Sequence, residues 1–313
     1  MGESPKYVNL EIDGRLYDVE LFQRTVQPAG SPRLIIVSHL ANEIGKNLLK
    51  TCLDGVKHFT PESHEVWVVD NNSPRENLDW LIDRDGINIA LNRVEPLPPE
   101  AHEASREGEM VVEDQKNWGS YANAIGLEIG IRLIDSLSTA VMFMHMDTCP
   151  CSAGWLTFLR SKIEGNVRAA GVRLDRTRTP EGVLHVLGYM VDFQLFKQLG
   201  LNLFPNLPQQ DVGDNVTLKL REAGYEIFSC NNTLWSPELD DRIPAGSPLK
   251  GVRVDRAFDD DWNIIFLHLG RGVRKSIGEH KTGTGFETWS DLIYNSLIKQ
   301  VADTSAVAGS YLG

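Results

Sequence analysis

The sequence predicts an α/β fold built on a mostly parallel central sheet flanked by helices, and three observations predict it. Leu34-Ile-Ile-Val37 and Val66-Trp-Val-Val69 are short unbroken apolar runs ending in polar residues, as strands buried on both faces do. Between them Leu48, Leu49, Cys52, Leu53 and Val56 recur at helical spacing, so strand, helix and strand alternate. A third apolar run, Ala140 to Met144, again ends in polar residues, here His145 and Asp147. In an open sheet of this kind the loops after the strands line the carboxyl edge, where ligands bind.

Composition sets limits. At 313 residues, 42% hydrophobic and 24% charged, the chain suits one large α/β domain with appendages. Asp and Glu outnumber Lys and Arg by 43 to 31, a formal charge of −12 that argues against a nucleic-acid partner. No apolar run reaches the roughly 18 residues of a membrane span. The start, Met1-Gly-Glu-Ser-Pro5, lacks the basic-then-apolar pattern of a secretory signal, so a cytoplasmic protein is expected. Cys52, Cys149, Cys151 and Cys230 make no two-pair zinc spacing, and Cys149-Pro-Cys151 is too short for an ordinary disulfide; reduced structural thiols are expected.

In chain order, Tyr7 to Phe22 alternates apolar and polar residues around Asp13-Gly14, the strongest local hairpin signal. Residues 1–30 thus form an N-terminal hairpin appendage, serving either packing or an edge or homo-oligomer contact. Gln27 to Pro32, rich in breakers, links it to the first sheet strand, and a helix is expected over 44–58. The second strand ends in Asp70-Asn-Asn-Ser73, beside the loop Ser38 to Asn42 if the crossover has its usual hand. Two such loops make a nucleoside-sized cleft, whereas the structural alternative has Asp70 and Asn71 simply starting the next turn. Between Asn92 and Asp114 three prolines mark a surface excursion, either a solvated loop or a lid. Trp155, Leu156, Leu159 and Ile163 predict a helix from Trp155 to Arg168, followed by a strand over Ala169 to Arg173. Ser276 to Phe286 is a glycine-threonine loop without P-loop order, then a helix is expected over Trp289 to Val301 and a frayed tail to Gly313.

Several of these stretches together resemble family 2 glycosyltransferases with the GT-A fold. Asn42-Glu43 before a helix with Leu-x-x-Cys-Leu, then Val68-Val-Asp-Asn-x-Ser73, is similar to the family's opening. Asn117-Trp-Gly119-Ser-Tyr-Ala-Asn123 looks like its Asn-x-Gly-x-x-x-Asn segment beside the nucleotide-sugar. Val141-Met-Phe-Met-His-Met-Asp147 is similar to the strand delivering its Asp-x-Asp metal motif. Asp211-Val-Gly-Asp214 with Leu218 to Tyr225 resembles the acidic segment and helix that carry the catalytic base. Ile264-Ile-Phe-Leu-His268 resembles the late strand whose histidine can reach the metal.

The resemblance implies a nucleotide-diphospho-sugar transferase fold over residues 31–270, with a donor half 31–150, an acceptor half 151–270 and a C-terminal loop and helix 271–313. It implies a nucleotide-diphosphate sugar donor, a small-molecule or glycan acceptor, and a site assembled from named positions. Ser38, His39, Asn42, Glu43, Asp70, Asn71, Asn117, Gly119, Asn123, His145, Met146, Asp147 and Arg271 would face the donor. Asp147, His268 and His145 would hold the cation, and Asp211 or Asp214 would deprotonate the acceptor.

Physical chemistry gives these residue types a purpose. Breaking an anomeric carbon–oxygen bond leaves negative charge on a diphosphate, which a divalent cation neutralises. Mn2+ or Mg2+ accepts carboxylate, phosphate oxygen and water. The chain departs from the pattern at His145, where the family has an aspartate; imidazole can ligate manganese or instead hydrogen-bond ribose. Arg271, Arg274 and Lys275 after His268 suit a diphosphate or form a solvated basic loop. Counting back from Gly224-Tyr225 puts the family's base near Gly213; Asp211 is favoured, since Asp214 stands where a helix N-cap would.

The expected activity is therefore metal-assisted, inverting sugar transfer. Two alternatives differ in class: a nucleotide- or glycan-binding module without catalysis, and a nucleotidyltransferase, against which the loop Ser38-His-Leu-Ala-Asn-Glu43 argues by lacking glycine and arginine.

Overall fold

Burial on both faces accounts for the central strands of a computed structural model, which describes residues 4–98, 115–173 and 181–299 apart from positions 235, 248, 251, 253, 280 and 282. The strands in chain order are β1 (Lys6–Ile12), β2 (Arg15–Phe22), β3 (Arg33–Ser38), β4 (Glu65–Asn71), β5 (Asn88–Asn92), β6 (Ala140–His145) and β7 (Thr148–Pro150). They continue as β8 (Val167–Arg173), β9 (Leu184–Asp192), β10 (Glu226–Ser229), β11 (Asn231–Asn232), β12 (Asp255–Phe258) and β13 (Ile264–His268). The chain divides into two compact units: Met1–Leu40, Ser63–His145 and Leu159–Ser229 make the first; Ala41–Glu62, Met146–Phe158 and Cys230–Gly313 the second.

The first unit holds a nine-stranded sheet in the order β1-β2-β5-β4-β3-β6-β9-β8-β10. Only β2 and β9 run against the other strands, so the sheet is mostly parallel, as expected. Asp13 and Gly14 both have positive φ, 50° and 73°, which fits a tight hairpin whose twist matches its strands. The hairpin joins the sheet through β2, which pairs antiparallel with β5.

Helix Gln115–Leu133 flanks this sheet, and its glycines set how close it comes. A Cβ on Gly126 would lie 2.5 Å from Cγ1 of Val37, and one on Gly130 would lie 2.6 Å from Cγ2 of Ile35. Glycines one turn apart thus let the helix backbone settle onto β3. Ile35, Trp67, Val69, Ala90, Val141 and Phe143 join Ala124, Ile125, Leu127 and Ile129 in one apolar core.

At the amino ends of β3 and β4, buried Arg33 lies 3.4 Å from Glu65. Its guanidinium donates to the carbonyls of Ser31 (2.6 Å), Gln27 (2.8 Å) and Pro28 (3.1 Å), so the breaker-rich linker wraps one cation. Glu65 in turn accepts from the Gln27 amide (2.7 Å) and the Trp67 indole (2.6 Å).

The second unit holds a four-stranded sheet in the order β11-β12-β13-β7, antiparallel throughout. The late strand ending in His268 therefore belongs to a separate small sheet. Helix Glu43–Phe59 packs against β7, where a Cβ on Gly55 would come within 2.2 Å of the Cys149 sulfur.

Two expected helices differ. The helix starting at Trp155 stops at Ser161, because Gly165 adopts φ 56° and Val167 already begins β8. The last helix starts at Phe286 behind Gly285 and ends at Ile293, giving way to a π-helical turn, Tyr294–Ile298. Most of the proline-rich excursion before Asp114 lies outside the described residues, as do parts of the glycine-threonine loop and the C-terminal tail. No described helix is long and apolar enough to cross a membrane.

Gly126→Ala tests the close approach. Alanine gains about 1 kcal/mol of helix propensity, but overpacking against a stiff β-branched side chain costs about 1–3 kcal/mol. A lower denaturant midpoint is expected; an unchanged or higher one would show that Val37 yields freely.

Candidate active site

The register of the first unit sets the loops after β3, β4 and β5 side by side. Ser38 pairs with Asp70 and Asn71 with Asn92. Asp70 is fully buried: Oδ1 accepts from the Ser73 amide (3.0 Å), and Oδ2 accepts from the hydroxyls of Ser73 (2.5 Å) and Ser38 (3.2 Å). Burial pushes its pKa up, while these hydrogen bonds pull it down. Both oxygens are engaged in shaping the loop, and the Ser73 hydroxyl also accepts from the Leu40 amide (2.6 Å). Asn71 donates to the Ala122 carbonyl (2.5 Å) and accepts from Asn92 (2.8 Å), while Nδ1 of His39 lies 3.1 Å from the Asn71 carbonyl.

Along the Gln115–Leu133 helix, Gly119 is exposed and Asn123 is half-buried. The helix includes the backbone of Asn117, whose side chain lies outside the described set. The Asn123 amide nitrogen is 3.2 Å from Nε2 of His145, at the end of β6. Edge-on to His145, at 5.2 Å between ring centroids, stands His185 of β9. Nδ1 of His185 accepts from the Leu187 amide at 3.1 Å.

The acidic segment closes on itself. The Asp211 amide donates to Oδ2 of Asp214 (2.8 Å), and the Val212 amide donates to Oδ1 of Asp211 (2.8 Å). Asp214 has no exposed surface and opens helix Asp214–Glu222, whereas Asp211 keeps 7%. The N-cap is Gly213 rather than Asp214, at φ 81°, and a Cβ there would sit 2.6 Å from Cγ1 of Val186. No side chain fits where the family's base was expected.

In the second unit the small sheet assembles an acid–imidazole cluster. Asp147 lies in the turn between β6 and β7, preceded by buried Met146. Its Oδ2 accepts from the Gly272 amide at 2.8 Å and its Oδ1 faces Nε2 of His268 at 3.4 Å. Nδ1 of His268 is 3.1 Å from Oδ2 of Asp255, its cross-strand partner in β12. The turn Gly270-Arg271-Gly272 has positive φ at Gly270 (75°) and at Arg271 (56°), and a Cβ on Gly272 would meet Asp147 at 2.7 Å. Lys275 donates to the carbonyls of Leu269 (3.1 Å) and Thr284 (2.9 Å), tying this turn to the following loop. Asn42 caps helix Glu43–Phe59 by accepting from the Gly45 amide (3.1 Å) and donates to the Ser276 carbonyl (2.8 Å). Exposed Glu43 pairs with Lys46 at 2.8 Å.

Thus the first unit gathers Ser38, His39, Asp70 and Asn71, and separately Asn123 and His145; the second gathers Asp147, His268 and the turn carrying Arg271. Sequence reasoning passed over His185, Asp255 and Gly272. His185 belongs to no motif in the sequence, and Asp255 becomes visible only through β12–β13 pairing. The four cysteines are buried and in no disulfide, and burial pushes the Cys149 and Cys151 thiols up, as inert structural thiols require.

The donor set fits a divalent cation: one carboxylate oxygen and one imidazole nitrogen face each other, and the far ring nitrogen meets a second carboxylate. Without an ion, burial alone would lower the His268 pKa from its ordinary 6.5, but Asp147 and Asp255 outweigh it and push it up to about 10. A folded value above the ordinary one means the charged ring stabilises the fold fully below about pH 6.5 and loses that effect as pH rises through about 10. In chelator, the melting-temperature gap between wild type and His268→Gln should therefore narrow across that window; a gap independent of pH would sink this assignment.

A scan against protein-family models finds no match, and neither does a search of curated proteins. Among solved structures the chain is similar to a mannosyltransferase, PcManGT from Pyrobaculum calidifontis, in complex with GDP-Man and Mn2+: 13% identity, TM-score 0.43, covering 89% of this chain and 75% of that one. It is similar to a Drosophila β-1,4-galactosyltransferase 7 with manganese, UDP-Gal and xylobiose, at 10% identity and TM-score 0.35, covering 82% and 83%. It is also similar to 4-diphosphocytidyl-2C-methyl-D-erythritol synthase from Anaerococcus prevotii, at 12% identity and TM-score 0.39, covering 64% and 89%. These likenesses are all at 13% identity or less with TM-scores of 0.43 or less, and the site residues alone carry the functional reading.

Proposed function

We propose that the protein transfers a sugar from a nucleotide-diphosphate sugar to an acceptor hydroxyl with inversion, assisted by Mn2+ or Mg2+. One observation carries this reading: Asp147 Oδ1 and His268 Nε2 oppose each other at 3.4 Å, each held from behind, the carboxylate by the Gly272 amide and the ring by Asp255. Asp147 and His268 are assigned as ligands, with His145, two residues before Asp147, as a third. A bound divalent cation would neutralise charge growing on the departing diphosphate. Arg271, exposed on its turn, is assigned to the phosphates. Asp211 takes the proton from the acceptor hydroxyl as its oxygen attacks the anomeric carbon opposite the leaving group. Asp211 is preferred to Asp214 because it retains exposed surface and Asp214 has none. Ser38, Asp70 and Asn71 shape the loops assigned to the nucleoside, with His39 and Asn123 as polar contacts.

One observation favours a rival, a nucleotide-sugar-binding module without transfer: Gly213 occupies the expected base position and admits no side chain. Release of nucleotide diphosphate separates the two readings. The experiment is a thermal-shift panel of nucleotide sugars with and without Mn2+, followed by turnover of the donor that stabilises best. Asp147→Asn, which can still accept from Gly272 but no longer pairs with the charged His268 ring, should lower turnover by about 100-fold or more and lower the melting temperature in chelator. Wild-type turnover in this variant would reject the assignment, and donor binding without any release would favour the rival.

A further inference from the structure

We infer that Asp255 is a positioning residue for the cation site, holding His268 in the one tautomer that can ligate; this rests on the metal-assisted reading above. The register of the small sheet sets Asp255 directly across from His268, and its Oδ2 lies 3.1 Å from Nδ1. A carboxylate at that distance accepts and does not donate, so when a cation displaces the proton from Nε2 the remaining one stays on Nδ1, and the Nε2 lone pair is the one that ligates. Nε2 is also the nitrogen that faces Asp147 Oδ1, at 3.4 Å. Two strands therefore aim one imidazole, with the acceptor behind and the second ligand ahead. Gly270 seals the flank: a Cβ there would lie 3.8 Å from both Asp255 Oδ2 and the His268 ring, so this turn packs beside the pair without displacing it.

A simple ion pair would also place a carboxylate beside an imidazole. The two roles part when the charge is removed and shape is kept. In Asp255→Asn the neutral amide is a weaker acceptor than the carboxylate and can turn its NH2 to Nδ1, which favours the ring proton on Nε2 and opposes ligation there. Asp255 has 32% of its side chain exposed, so the change is compatible with folding.

The test is Mn2+ binding to the full chain by titration calorimetry, together with pulsed EPR of the bound ion, which reads coupling to an imidazole nitrogen. His268→Gln supplies the spectrum without that nitrogen, and the melting temperature in chelator checks each fold. Asp255→Asn should weaken Mn2+ binding roughly 10- to 100-fold and lose the nitrogen coupling, as His268→Gln does. Wild-type affinity and coupling in Asp255→Asn would overturn the inference about Asp255 and leave the cation site standing. A changed melting temperature with unchanged affinity would overturn it too, marking the pair as structural. Absence of Mn2+ binding by the wild type, or undiminished binding by Asp147→Asn, would bring down the cation site and the role of Asp255 together.

Discussion

A guanidinium without solvent contact sets the frame of the first unit. Arg33 has no alternative to Glu65 and the three linker carbonyls, because an unpaired cation at that depth would be unstable by several kcal/mol. A one-residue slip of β3 against β4 would send the two side chains to opposite faces of the sheet. The pair therefore fixes the register, and the register places Ser38 opposite Asp70 at the far end of the same two strands. What is decided by charge at one edge becomes the geometry of polar loops at the other.

The same logic governs the small sheet. Antiparallel pairing puts Asp255 opposite His268 and His268 opposite Thr148, one residue after Asp147. The Leu269 amide donates to the Asp147 carbonyl at 3.0 Å, extending this ladder past the end of β13. Cross-strand neighbours lie close enough for side chains to meet, so three groups distant along the chain converge without a long loop to carry them. The turn Gly270-Arg271-Gly272 then supplies a backbone donor to the carboxylate at a spot where a Cβ on Gly272 would collide with Asp147.

Much of this was legible in the residues because burial on both faces leaves unbroken apolar runs. Leu34 to Val37, Val66 to Val69 and Ala140 to Met144 all became core strands, and Asp13-Gly14 became the turn its dipeptide implies. Other features depend on backbone angles or on pairing, which periodicity does not encode. Ile163 continued the helical spacing after Trp155, yet the helix ends at Ser161 and Gly165 turns the chain just beyond. Asp70 read as a carboxylate at a strand end; that Ser73 and Ser38 would occupy both its oxygens follows only from the folded loop. Asp255 stands 13 residues from His268 and acquires meaning through the register alone.

Gly213 has a consequence for how such a chain can vary. Its left-handed backbone and the nearness of Val186 bar any larger residue unless both the local chain path and the neighbouring side chain alter together. Single-step drift cannot install an acid there. Replacement of Gly213 alone would leave the backbone strained, whereas Asp211 and Asp214 carry no such left-handed constraint.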